Sequence, residues 1–191
     1  MTLAEDPRWI RFNDQGYRCP CCAKPTGGLF DIVMDHPDPW NHGTLNASPD
    51  DILQVGNDRL SSDLCENNGD FYVRGTLPLP IIGADEMFSF GVRASLKKEN
   101  FEHYIKRWDT AGYSGFPGCF GWLMNTLPIW KSDNPLPCDV KMGGVGQRPI
   151  LVVHDGAHAL TEAQAPGITF DQLLDVYAAS GQDIRPHISD D

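Results

Sequence analysis

The chain has 191 residues, 41% of them hydrophobic and 21% charged, with five Trp and nine Phe. Large rings offset ordering entropy when buried, so the composition excludes disorder and predicts one well-buried core. A formal charge of −11 excludes a nucleic-acid partner, because a net-negative surface repels phosphate backbones.

The opening, MTLAEDPRWIRF, is broken by Pro7 and lacks the basic end and apolar centre of a secretory signal. No apolar run approaches the roughly 18 residues of a membrane helix. The cytoplasm is therefore the expected compartment. Residues 1–16 read as an N-terminal arm, 17–181 as a single domain and 182–191 as an acidic tail.

Residues 27–57 are Pro- and Asp-rich and read as an irregular loop. Within it, Ser48 is placed to cap a short helix through Pro49-Asp50-Asp51-Ile52-Leu53. Strands are expected over Arg59–Cys65 and Asp70–Leu77, joined by an Asn-Gly hairpin at Asn67-Asn68-Gly69-Asp70. Glu86–Leu96 alternates again, with Gly83-Ala84-Asp85 as the turn before it. Phe101, Tyr104, Ile105 and Trp108 form one helical stripe, and Gly112 lies beyond it. Three further strands are expected at Cys119–Leu127, Cys138–Met142 and Arg148–His154. Thr169 and Gln172 form a capping box for a last helix, which Gly181 is placed to end. Strands, helix, strands, helix, without βαβ alternation, predict an α+β fold. Its sheet should be largely antiparallel, flanked by two or three helices, with a Cys-rich N-terminal knuckle.

Three of the six cysteines fall within Cys19-Pro20-Cys21-Cys22. Cys19 and Cys22 have the Cys-x-x-Cys spacing that lets a tight turn aim two thiolates at one tetrahedral zinc ion. No second Cys-x-x-Cys is present, so further ligands would come singly, from Cys65, Cys21, His36 or His42. A dithiol redox site needs a helix after the second Cys, and Ala-Lys-Pro-Thr-Gly-Gly is not one. A sulfur-rich turn without metal is the remaining reading.

Other candidates are weaker. Asp35, His36, Asp38 and His42 share one loop, where Asp35, His36 and His42 could serve a metal-assisted hydrolase. His154 and His158 have zinc-enzyme spacing, but the Glu beside the first His is absent and Gly156 disfavours a helix. Gly112-Tyr113-Ser114-Gly115-Phe116 fails the nucleophile-elbow pattern at its last position. Gly143-Gly144-Val145-Gly146 leads to no phosphate-binding helix.

Several stretches together resemble a bacterial family known as a domain of unknown function, number twenty-one ninety-nine. They include Cys19-x-Cys21-Cys22, Ser61-Ser62-Asp63-Leu64-Cys65, Phe71-x-Val73-Arg74-Gly75, Phe88-x-Phe90-Gly91-Val92, Phe120-Gly121-Trp122-Leu123 and Gly146-x-Arg148-Pro149. His158-x-Leu160, Gln164 and Gly167-Ile168-Thr169 complete the set. The resemblance implies little about activity, because the family carries no catalytic assignment. It joins Cys65 to the N-terminal cluster, which makes Cys19, Cys22 and Cys65 the expected metal ligands. The family usually reads Cys-Gly-x-x-His after the cluster, where this chain has Ala23 and Thr26. Lys97 stands where relatives carry a helix-capping Ser.

From Asp31 to Asp70 nine acids face one base, Arg59. With no catalytic motif in hand, the expectation is a non-enzymatic binding protein with a structural zinc and a basic protein partner. Its sharpest form is an immunity-type inhibitor of a basic toxin.

Overall fold

The computed structural model describes residues 2–46, 48, 51–108, 116–154 and 156–189. After a 3-10 turn at Leu3–Glu5, helix α1 spans Pro7–Asn13. Six strands follow: β1 Ile32–Val33, β2 Leu53–Val55, β3 Asp58–Leu60, β4 Leu64–Asn67, β5 Asp70–Pro80 and β6 Met87–Leu96. Then come α2 Lys98–Arg107, β7 Gly118–Leu123, β8 Leu136–Lys141, β9 Ile150–Val153, α3 Ala159–Gln164, α4 Phe170–Ala179 and α5 Arg185–Ile188. The α+β class and the mostly antiparallel sheet follow the sequence pattern.

The hairpin between β4 and β5 turns on Asn68 and Gly69, at φ 52° and 84°. Both residue types tolerate positive φ, and the turn's twist suits the strands it joins. The full pairing goes further than an open sheet. β5 pairs with β6, β6 with β7, β7 with β8, β8 with β9, and β9 returns to β5. Five strands thus close on themselves, the last contact being parallel at Thr76 and Ile150. Gly121 marks how tight the ring is, since a Cβ there would meet the Ser95 carbonyl oxygen at 2.7 Å. Leu77, Phe90, Val92, Cys138, Val140 and Leu151 have no exposure and form the apolar core.

The helices cover this core. The capping box of α4 forms as expected, with Thr169 accepting from the Gln172 amide. Gln164 of α3 acts as a surrogate strand. It accepts from the Val153 amide at 2.8 Å and donates to the Leu151 carbonyl at 2.9 Å.

Both chain ends depart from expectation. Trp9 and Phe12 of α1 are buried, and the Trp9 ring meets Phe170 edge-on at 5.0 Å. Asp6 caps α1 through the Arg8 amide, with Pro7 at the first helical position. The segment expected as an arm thus docks Trp9 and Phe12 into the core, while Ile10 on its other face is exposed. At the other end α5 buries Ile188 completely, so the expected tail is docked at least as far as Ser189. Asp190 and Asp191 lie outside the described residues, as do Pro49 and Asp50 of the expected short helix. Leu53, its last residue, begins a strand instead. Gly112 and the Gly112–Gly115 part of the elbow-like stretch also lie outside them.

A second, smaller apolar cluster packs on the outer face of the ring: Trp40, Leu60, Cys65 and Tyr72. Beside it, Arg93 is fully buried. One of its terminal nitrogens donates to the carbonyls of Asp35, Ser61 and Ser62 at 2.9, 2.9 and 3.0 Å. Burial, then the adjacent Arg74, pulls the guanidinium down to about 10, so it stays charged at neutral pH. Arg74 also donates to the Ser62 carbonyl, and Arg148 is paired with Asp63. Much of the Ser-Ser-Asp-Leu-Cys stretch is thus a loop tied to the ring by three arginines.

Candidate metal centre

Cys19 opens a tight turn. The Ala23 amide donates to the Cys19 carbonyl at 2.8 Å, and the Cys19 amide to the Lys24 carbonyl at 3.0 Å. The amides of Cys21 and Cys22 point at the Cys19 sulfur and stabilise its thiolate. Such amide-to-sulfur bonding is what a metal-binding knuckle needs, because it spreads thiolate charge into the backbone. Ala23 closes the turn at φ 57°, a left-handed conformation that costs an L side chain about 1–2 kcal/mol. Ala23→Gly is accordingly expected to raise stability by about 1 kcal/mol in urea denaturation.

The fourth group arrives from the far end of the chain. His187 Nδ1 lies 3.3 Å from Cys19 Sγ, 3.8 Å from Cys21 Sγ and 3.7 Å from Cys22 Sγ. All four ligand atoms fall within 4.8 Å of one another. A tetrahedral zinc with its usual bond lengths has S···N edges of ~3.6 Å, which these three distances bracket. Cys19 and Cys21 sulfurs are closer, at 2.9 Å, and share a hydrogen bond. That contact holds Cys19 at about 6, with His187 and the two amides adding to it, while Cys21 is pushed up to about 11. The pair therefore carries one proton across the neutral range. All six cysteines are free of disulfides.

Several contacts dock the segment that carries His187. Ile188 is buried beneath it, Tyr17 Oη donates to the His187 carbonyl, and Arg11 donates to the Ile188 carbonyl at 2.8 Å. Arg185 is held by Asp183 and Asp175. Thr26 donates to the carbonyls of Arg11 and Phe12.

Cys65 does not join this group. It sits on β4 opposite Tyr72, 1% exposed, and burial pushes its thiol up to about 12. It packs as a small hydrophobe. The Asp35/His36/His42 loop does not converge on a metal position either. His42 pairs with Asp58 at 2.9 Å, and the His36 ring contacts the Pro37 carbonyl. Asp35 contributes its carbonyl to Arg93. His154 pairs with Asp139, while His158 caps α3 by accepting from the Leu160 amide. Asp155 between them lies outside the described residues.

The family pattern described as an uncharacterized protein conserved in bacteria, DUF2199, matches residues 18–168. The chain belongs to DUF2199. No curated protein and no solved structure matches it. The match includes the three knuckle cysteines of this DUF2199 chain and stops short of His187. Cys19, Cys21, Cys22 and His187 form its candidate metal-binding site. Among the described residues no helix is long and apolar enough to cross a membrane.

Proposed function

We propose that this chain is a binding protein whose two ends are fastened together by a structural zinc ion held by Cys19, Cys21, Cys22 and His187. The observation that carries the reading is the donor set itself, three sulfurs and one imidazole nitrogen within a single coordination distance. Three thiolates and a histidine favour zinc over the harder magnesium and calcium, which take oxygen ligands. Four protein ligands fill a tetrahedron, so the ion has no open position for substrate and serves the fold.

The site joins the turn after α1 to α5, and chelation should loosen that junction first. Amide hydrogen exchange over 184–188 is expected to accelerate on treatment with a chelator, while the ring strands keep their protection. Unchanged exchange in α5 after the metal is removed would count against a fastening role.

A protein-binding role fits the missing catalytic motif and the net charge of −11. A basic toxin neutralised by surface complementarity is its most specific form. The acids of residues 31–70 offer less of a free face than their number suggests. Asp31 accepts from the Ser89 amide, Asp38 from Thr126, Asp58 from His42 and the Asn68 amide, and Asp63 from Arg148. These carboxylates hold loops in place. If pull-down at low salt recovers no basic protein, the partner reading falls and the zinc reading stands.

A further inference from the structure

We infer that a groove across the outer face of the ring, centred on Trp122, receives lysine or arginine side chains from a segment of a partner protein. The inference rests on the binding-protein reading above and is independent of the zinc. Two hollows of about 200 and about 480 Å³ share Met124, Asn134 and Pro135 as lining, so they form one groove. Strand register explains its shape. Tyr72, Ser95 and Trp122 stand in one row across β5, β6 and β7. The small Ser95 makes the floor between the exposed Trp122 ring and the buried Tyr72. Trp122 is 44% exposed, and its ring is fixed by an edge contact with Phe120 at 5.2 Å and 90°.

The charge along the groove has one sign. Asp38 and Asp133 line the smaller hollow and Asp70 the larger, and no Lys, Arg or His lines either. A cation leaving water needs a π face or a carboxylate, and this groove supplies both side by side. An anionic partner would meet only repulsion.

The test is titration of the full chain with a fluorescein-labelled oligolysine peptide at low ionic strength. Trp122→Ala and Asp70→Asn are each expected to weaken binding about five- to tenfold. Glu99→Gln and Glu102→Gln, on α2, remove the same charge elsewhere and should leave affinity unchanged. Near-ultraviolet circular dichroism confirms that each variant is folded. Equal losses in the α2 variants would show general attraction to net charge and overturn the proposal. So would oligolysine binding that ignores Trp122, or Trp122-dependent binding of a neutral oligosaccharide in place of the peptide. A basic partner that binds Trp122→Ala as well as the native chain would overturn the groove and leave the binding-protein reading intact.

Discussion

Protein purified without added metal or chelator is expected to carry about one zinc per chain. His187→Ala and Cys19→Ser should each lose most of it, while Cys65→Ser keeps it. The contrast follows from placement. Cys19 lies within 3.3 Å of the His187 imidazole, whereas Cys65 faces Tyr72 in a separate apolar cluster. Structural zinc binds with apparent free energies of ~10–16 kcal/mol at pH 7 in small zinc-dependent domains. Here a large core exists without the ion, so the variants should stay folded with a lowered melting temperature. The pH dependence has a definite sign. The Cys19 thiol is depressed to about 6 by its sulfur and imidazole neighbours, so its thiolate is present above that value. Zinc retention should fall as pH is lowered, because protons compete for the thiolates and the imidazole. Element analysis by mass spectrometry across pH checks both points. Metal-free, well-folded native protein would sink the site, as would equal zinc loss in Cys65→Ser.

The largest single effect on stability should come from Arg93→Ala, a loss of about 3–5 kcal/mol in urea denaturation. Removing the fully buried guanidinium takes this donor from the Asp35 and Ser61 carbonyls, while the Ser62 carbonyl keeps Arg74. Arg93→Lys should recover only part of this, because an ammonium is a point donor and must be desolvated more expensively than a guanidinium. A loss below about 1 kcal/mol for the alanine variant would mean that the loops are held by other contacts.

The two outcomes also show what could be read from residues alone. Local signals were legible wherever a short-range rule decided structure. Asn68-Gly69 turned the hairpin, Thr169 and Gln172 capped α4, and alternation marked β5 and β6. The candidate metal site was half legible, because Cys19-x-x-Cys22 is a local spacing. His187 carried no spacing signal, being 165 positions from Cys22. A hint lay in Ile184 and Ile188, an i, i+4 apolar pair in a stretch otherwise read as tail, and both are buried. Cys65 misled because occurring in the same pattern does not place two sulfurs together. The closure of the ring was also illegible, since it depends on one parallel contact between β5 and β9.

The span between Cys22 and His187 has a consequence for the denatured chain. An ion that bridges such distant positions turns an open polymer into a loop, and loop closure restricts the conformations available before folding. For a bridge across 165 positions the restriction amounts to about 5 kcal/mol of lost chain entropy, provided the ligands remain bound when the rest unfolds.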